Sequence, residues 1–250
     1  MSNLIPKVAV LAHIFWEDSW GELKQYFFNL KESPVEPIFL INTCSEEVAV
    51  DIRGDLPEAI IFVSENAGKD IGGVLLLMDY YLKNKLSSDY MVILHDKKTE
   101  MPPKETIYKD WELKKEYVYM SSWRDELLSI LSKESIHLIF KKFNKTRVGM
   151  ISSVKLILDT TNYFNHDLME YYCKKFELLE IKSTEFIAGT MFWVRSTIYE
   201  DFFSRFDPLA IRDQVLQNYE IAHIMERIFG YIITNYGYSI SGWQNKKLYL

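Results

Sequence analysis

Apolar residues fall along the chain in two rhythms. Short unbroken runs at Val8–Phe15, Pro37–Asn42, Ala59–Val63, Tyr90–Leu94, Arg147–Ser152 and Phe186–Val194 suit strands buried on both faces. Between them, apolar positions recur every three or four residues at Trp20–Leu30, Val74–Leu86, Trp123–Leu131, Glu134–Phe143, His166–Phe176, Thr197–Phe206 and Glu220–Tyr236, which predicts helices. Strands alternating with helices give an α/β layered fold with a mostly parallel sheet, and residues 59–94 read as a right-handed βαβ unit. The last helix places Ile221, Ile224, Met225, Ile228 and Ile232 on one face and Glu220, His223, Glu226 and Arg227 on the other. Residues 97–121 are polar, with Pro102 and Pro103, and predict a long loop suited to a lid. Residues 239–250 read as a tail. No repeat or linker divides residues 1–250, so a single domain is expected.

Composition narrows the partners. With 48% hydrophobic and 15% aromatic residues the chain supports a sizeable core. The net charge of −6 comes from 29 basic and 35 acidic residues interleaved along the sequence, so no basic block is available to displace counterions and nucleic acid is not an expected partner. The two cysteines, Cys44 and Cys173, stand far apart without metal-ligand spacing and read as small apolar fillers. The start lacks the layout of a signal peptide, and no apolar stretch approaches the ~20 residues that span a bilayer. A cytoplasmic protein is expected, with at most peripheral contact at the inner face of the plasma membrane.

Candidate chemistry gathers at strand ends. In parallel α/β sheets ligands bind outside the carboxyl ends of the strands. His13 ends the first run, Asn66, Lys69 and Asp70 follow the third, and His95, Asp96, Lys97 and Lys98 follow the fourth, so three separated clusters should share one rim. The stretch NAGKDIGG, residues 66–73, opens a helix whose backbone amides and dipole suit a phosphate or a hydroxyl; as a purely structural segment, Asp70 is the cap and the glycines serve the turn. In HDKK, residues 95–98, Asp96 suits a divalent cation such as Mg or Mn, and the lysines suit phosphate charge. Its bland counterpart is a solvated turn. On the last helix Glu220, His223, Glu226 and Arg227 lie three or four apart, the spacing of a general base with an orienting neighbour, and equally that of a solvated face. Trp193 lies in a run that reads mainly as core, with stacking on a sugar or base as its alternative.

Taken together, H-x-x-W at 13–16, N-x-G-K-D-x-G at 66–72, HDKK at 95–98, SSWRDELL at 121–128, AGTMFWVR at 188–195 and AHIMERIFG at 222–230 resemble the rhamnan synthesis protein F family, glycosyltransferases of bacterial cell-surface polysaccharide assembly. The likeness covers most of residues 8–238. It departs from the family pattern at Ala67, where a basic residue is usual, and at Gly73, where Pro is usual. The resemblance implies a GT-A-like, Rossmann-type fold and transfer of a sugar, typically rhamnose from dTDP-rhamnose, to a growing lipid-linked glycan. It also implies that HDKK stands in the place of an Asp-x-Asp metal motif, one acid short. On that basis Asp96 with Lys97 or Lys98 would manage the diphosphate, and Asn66, Lys69 and Asp70 would position the donor. His13, His95, Trp193 and Arg227 complete the expected nucleotide-sugar site, and Glu226 or Glu220 would be the base with His223 orienting it. Asp96→Asn and Glu226→Gln are then each expected to lower transfer by orders of magnitude with the melting temperature nearly unchanged. The alternative is a non-catalytic carbohydrate-binding or scaffolding module of a polysaccharide assembly complex.

Overall fold

A computed structural model describes residues 5–96, 123–145, 147–159, 165–181 and 183–243. The first half runs β1 (Lys7–Ile14), α1 (Trp20–Lys31), β2 (Glu36–Thr43), α2 (Glu46–Asp55), β3 (Ile60–Val63), α3 (Lys69–Lys83) and β4 (Tyr90–His95). The second runs α4 (Trp123–Leu128), α5 (Lys133–Lys145), β5 (Val148–Ser153), β6 (Ile157–Asp159), α6 (His166–Lys175), β7 (Glu185–Ile187), β8 (Phe192–Arg195), α7 (Ser196–Arg205), α8 (Pro208–Gln217), α9 (Glu220–Asn235) and β9 (Ser239–Trp243). The expected lid at 97–121 lies outside the described residues.

Seven strands form one sheet in the order β3-β2-β1-β4-β8-β5-β9, a mixed α/β architecture of Rossmann-like type with a mostly parallel sheet. Only β8 runs against its neighbours. β1 and β4 are wholly buried apart from Lys7, as central parallel strands covered on both faces require. The helices bury stripes: α1 turns Trp20, Leu23, Phe27 and Leu30 inward. The chain builds β1, β2 and β3 outward on one side and then returns to lay β4 on the other side of β1. The crossover from β3 to β4 therefore passes over two intervening strands, with α3 lying across β1 and β2. That reversal of build direction is a topological switch point, where the loops after β1 and β4 part and leave a crevice.

Four expectations change. The run 186–194 is two strands: β7 pairs with β6 in a separate antiparallel ribbon and β8 joins the main sheet. Gly189 and Thr190, both in the left-handed region, turn the chain between them. The stretch 239–243 is not tail but edge strand, parallel to β5. Helix α3 begins at Lys69, inside the Gly-rich stretch, five residues ahead of the expected start. Lastly, α2 and α8 are additional helices, capped by Ser45 and by Asp207 followed by Pro208.

Candidate functional site

The carboxyl edge of β2, β1 and β4 carries a polar row set by register. Asn42, His13 and His95 are direct partners across the three parallel strands, so their side chains leave the same face of the sheet. His13 Nδ1 and Asn42 Oδ1 are 2.7 Å apart. Asn42 donates its amide to the Phe62 carbonyl and to Ser64 Oγ, which leaves Oδ1 as acceptor and puts the His13 proton on Nδ1. The other nitrogen, Nε2, is buried with no hydrogen-bond partner among the described residues. Asp70, His95 and Asp96 all act electrostatically on this ring. Helix α3 can press this closely because Gly73, one of the two departures noted above, has no Cβ. A methyl there would lie 2.5 Å from His13 Cγ and 2.8 Å from its Cβ.

Burial, the largest influence, lowers the His13 pKa below its ordinary 6.5. The unfolded chain therefore takes up a proton before the native ring does. Its contribution to stability is intact above about pH 6.5 and is lost as pH falls below that value toward the folded pKa. His223 is also lowered by burial and acts in the same direction. The loss of melting temperature between about pH 7.5 and 5.5 should accordingly be smaller in His13→Asn than in the unaltered chain; equal losses would show that His13 is not a source of the pH dependence.

His95 and the turn before β8 carry the row onward. His95 Nε2 donates to the Gly189 carbonyl at 2.7 Å and lies 3.4 Å from Asp70 Oδ2. Gly189 in turn donates its own N–H to Glu226 Oε1 at 2.6 Å, and Arg227 donates to Glu226 Oε2 at 2.5 Å. One glycine backbone thus joins the end of β4 to α9. On α9, His223 and Glu226 are the only positions from Ile221 to Thr234 that are not fully buried. The polar stripe foreseen as a solvated face or a base faces the rim at these two positions. Arg227 is buried, with its guanidinium 4.3 Å from the centre of the Phe186 ring. Glu220 is exposed and accepts from Asn165 at the start of the helix. His223 lies edge-on to Tyr219, and the Lys69 ammonium lies 4.0 Å over the other ring's centre. Lys69 and Asp70, from the first turn of α3, both act electrostatically on His223. Asn66 is exposed in the turn before them.

Asp96 is placed differently from the sequence expectation. It is buried, and its Oδ2 accepts from the backbone N–H of Phe15 at 3.0 Å, from that of Trp16 at 2.5 Å and from Ser19 Oγ at 2.7 Å. It braces the turn between β1 and α1. Among the described residues no group of three His, Cys, Asp or Glu side chains is placed to hold a metal ion. With Oδ2 already engaged, the described side chains around Asp96 do not fit a cation cage. The expectation that Asp96→Asn leaves stability unchanged is also corrected, because a buried acceptor of three hydrogen bonds cannot lose its charge without cost. Trp193 is corrected as well. It is 0% exposed and donates its indole N–H to the Ile130 carbonyl, so its ring cannot stack on a ligand. Lys97 and Lys98 lie outside the described residues.

His13, Asp70, His95, Asp96, His223 and Glu226 are therefore one connected rim, to which Asn66 and Lys69 are adjacent and Glu220 peripheral. Sequence reasoning missed Asn42, Gly189 and Tyr219. Asn42 had a signal, a polar residue closing a buried strand just as His13 and His95 do. Among the described residues, no helix is long and apolar enough to cross a membrane. No curated protein matches the chain. A model of the rhamnan synthesis protein F family matches residues 2–238, a span containing every rim residue.

Proposed function

Because the chain belongs to the rhamnan synthesis protein F family, with the glycosyltransferase-like role in polysaccharide synthesis that membership implies, we propose that it transfers rhamnose from a nucleotide-sugar donor such as dTDP-rhamnose to a growing lipid-linked glycan. The observation that carries this reading is the rim itself: polar side chains from β1, α3, β4 and α9 converge at the switch point of a Rossmann-like sheet. A transferase needs its donor held, its leaving diphosphate neutralised and an acceptor hydroxyl deprotonated.

The start of α3 suits the diphosphate. Gly68 and Lys69 are consecutive left-handed residues that turn the chain into the helix, and a helix N-terminus suits an anion. Lys69, with Lys97 and Lys98, supplies charge. Asp70, half-buried at the rim, is an acceptor suited to a donor hydroxyl. Glu226 is the proposed base. The Gly189 amide and Arg227 fix its carboxylate, and two carboxylate oxygens offer about four lone-pair sites in all, so capacity remains for an acceptor hydroxyl. His223 orients that hydroxyl, and a site on the inner membrane face would supply the lipid-linked acceptor.

The test is release of nucleoside diphosphate from a panel of nucleotide-sugar donors, with an acceptor saccharide present, with and without manganese. Glu226→Gln is expected to lower turnover by roughly 10²–10⁴-fold, the usual contribution of a general base, with nucleotide binding retained. Stability should fall too, since a Gln amide turned toward Arg227 sets donor against donor. If no donor yields free nucleoside diphosphate, the chain is the non-catalytic carbohydrate-binding module instead. That second reading has one observation in its favour, the use of Asp96 in bracing the fold.

A further inference from the structure

The SSWRDELL stretch has no task above, and residues 124–128 of it send their side chains two ways. Glu126, Leu127 and Leu128 are buried. Glu126 accepts from Ser153 Oγ at the carboxyl end of β5 and pairs with Lys155 at 3.3 Å, which fixes α4 to the same edge of the sheet as the rim. Arg124 and Asp125 instead line a cavity of about 400 Å³ between α4 and α1, a size typical of small-molecule sites. Glu22, Lys24, Gln25 and Tyr26 line it from α1, and an ion pair between Glu22 and Arg124 ties the two walls. Tyr26 is half-buried. Burial raises the pKa of its hydroxyl above the ordinary 10, and the charges of Asp125, Arg124 and Glu22 all act on it. Yet that hydroxyl makes no hydrogen bond among the described residues. A polar group drawn out of water costs free energy until something bonds it, and the cavity beside it admits a partner.

The lining sets two carboxylates, Glu22 and Asp125, against two cations, Lys24 and Arg124, so it favours neither an anion nor a cation. It offers acceptors, donors and, at Tyr26, both, beside an aromatic ring and the apolar Leu23 and Leu128. Hydroxyls alternating with apolar C–H faces, the surface of a sugar ring, match that mixture. Helix α1 packs with α2 and α5, whereas α3 packs with α8 and α9. The cavity therefore lies on the opposite face of the sheet from Lys69 and Glu226, apart from the reacting centre. We propose that it is a second carbohydrate site, which grips an internal sugar of the growing glycan while the glycan's end lies at the rim. Which glycan it takes rests on the transferase reading above.

Calorimetry with a rhamnose hexasaccharide and with dTDP tests this without turnover. Gly21→Leu fills the cavity from a position where an added Cβ meets nothing within 4 Å. That variant and Tyr26→Ala should each lower hexasaccharide affinity by roughly tenfold or more. Tyr26→Phe removes the hydroxyl alone and should cost roughly 2- to 10-fold. All three should bind dTDP as the unaltered chain does. Tyr171→Ala, which removes an exposed ring on α6, should change neither affinity. An unaltered chain that does not bind the hexasaccharide overturns the proposal, as do variants that bind it normally or that lose dTDP equally. Loss of hexasaccharide binding in variants of a chain that cleaves no donor keeps the cavity site and sinks the transferase reading. Donor cleavage with hexasaccharide binding unmoved by all three variants does the reverse.

Discussion

Asp96→Ala is expected to cost about 3 kcal/mol of stability, counting ~1.5 kcal/mol for each of the two backbone amides that lose a charged acceptor. In a chain of this size that lowers the melting temperature by roughly 6 to 12 °C. The effect is large because the donors cannot follow the missing group. Phe15 and Trp16 sit at the mouth of β1, which is hydrogen-bonded to β2 and β4 along its length, so their N–H groups stay aimed at an apolar gap. Asp96→Asn keeps an acceptor oxygen without the charge and should fall between the two. Thermal unfolding followed by circular dichroism decides it. A shift for Asp96→Ala within about 2 °C of the unaltered chain would mean that the carboxylate does not brace the turn, and Asp96 would return to consideration as a ligand-facing group.

The second large effect is at Gly72. Replacing a glycine inside a helix by alanine usually gains up to ~1 kcal/mol, and at Gly21 in α1, where an added Cβ meets nothing within 4 Å, a small gain is expected. At Gly72 the same change should be strongly destabilising. The new Cβ would fall inside the van der Waals envelope of the Ala67 carbonyl oxygen and 2.8 Å from its carbon. Both are backbone atoms, so no rotamer change relieves the overlap. Overpacking of this kind costs ~1–3 kcal/mol, occasionally more, and outweighs the helix gain. The first turn of α3 must open, which moves Lys69 and Asp70 away from His223 and His95. Gly72→Ala should thus lose both stability and nucleotide affinity, and Gly21→Ala neither. Matching behaviour of the two variants would show that the turn has slack.

Much of this arrangement was legible before any coordinates. Unbroken apolar runs that stop at His13 and His95 marked the central parallel strands and their working ends, because runs this short, rich in β-branched residues and closed by polar ones, suit a strand covered on both faces better than a helix. The limits are physical too. Helix α3 starts among glycines, which have the weakest helix preference short of proline, so tertiary packing and not propensity fixes its first turn. Helices α2 and α8 are short, although Asp207–Pro208 was a readable start signal. The turn at Gly189 is hidden because Phe186–Val194 is apolar on both sides of it. The pairing of Asn42 with His13 depends on strand register, and Asp96 finds its donors on a distant loop; neither relation exists in one dimension.

Gly189 reaches His95 and Glu226 through its peptide groups alone. A conventional alanine scan would be blind to that bridge, since it prunes side chains and leaves every amide in place. At a left-handed φ of +85°, replacement of Gly189 reports torsional misfit instead of a severed link. The coupling between the fourth strand and the last helix would surface only under chemistry that edits the main chain, such as an ester in place of one amide. Its silence in side-chain libraries should not be mistaken for irrelevance.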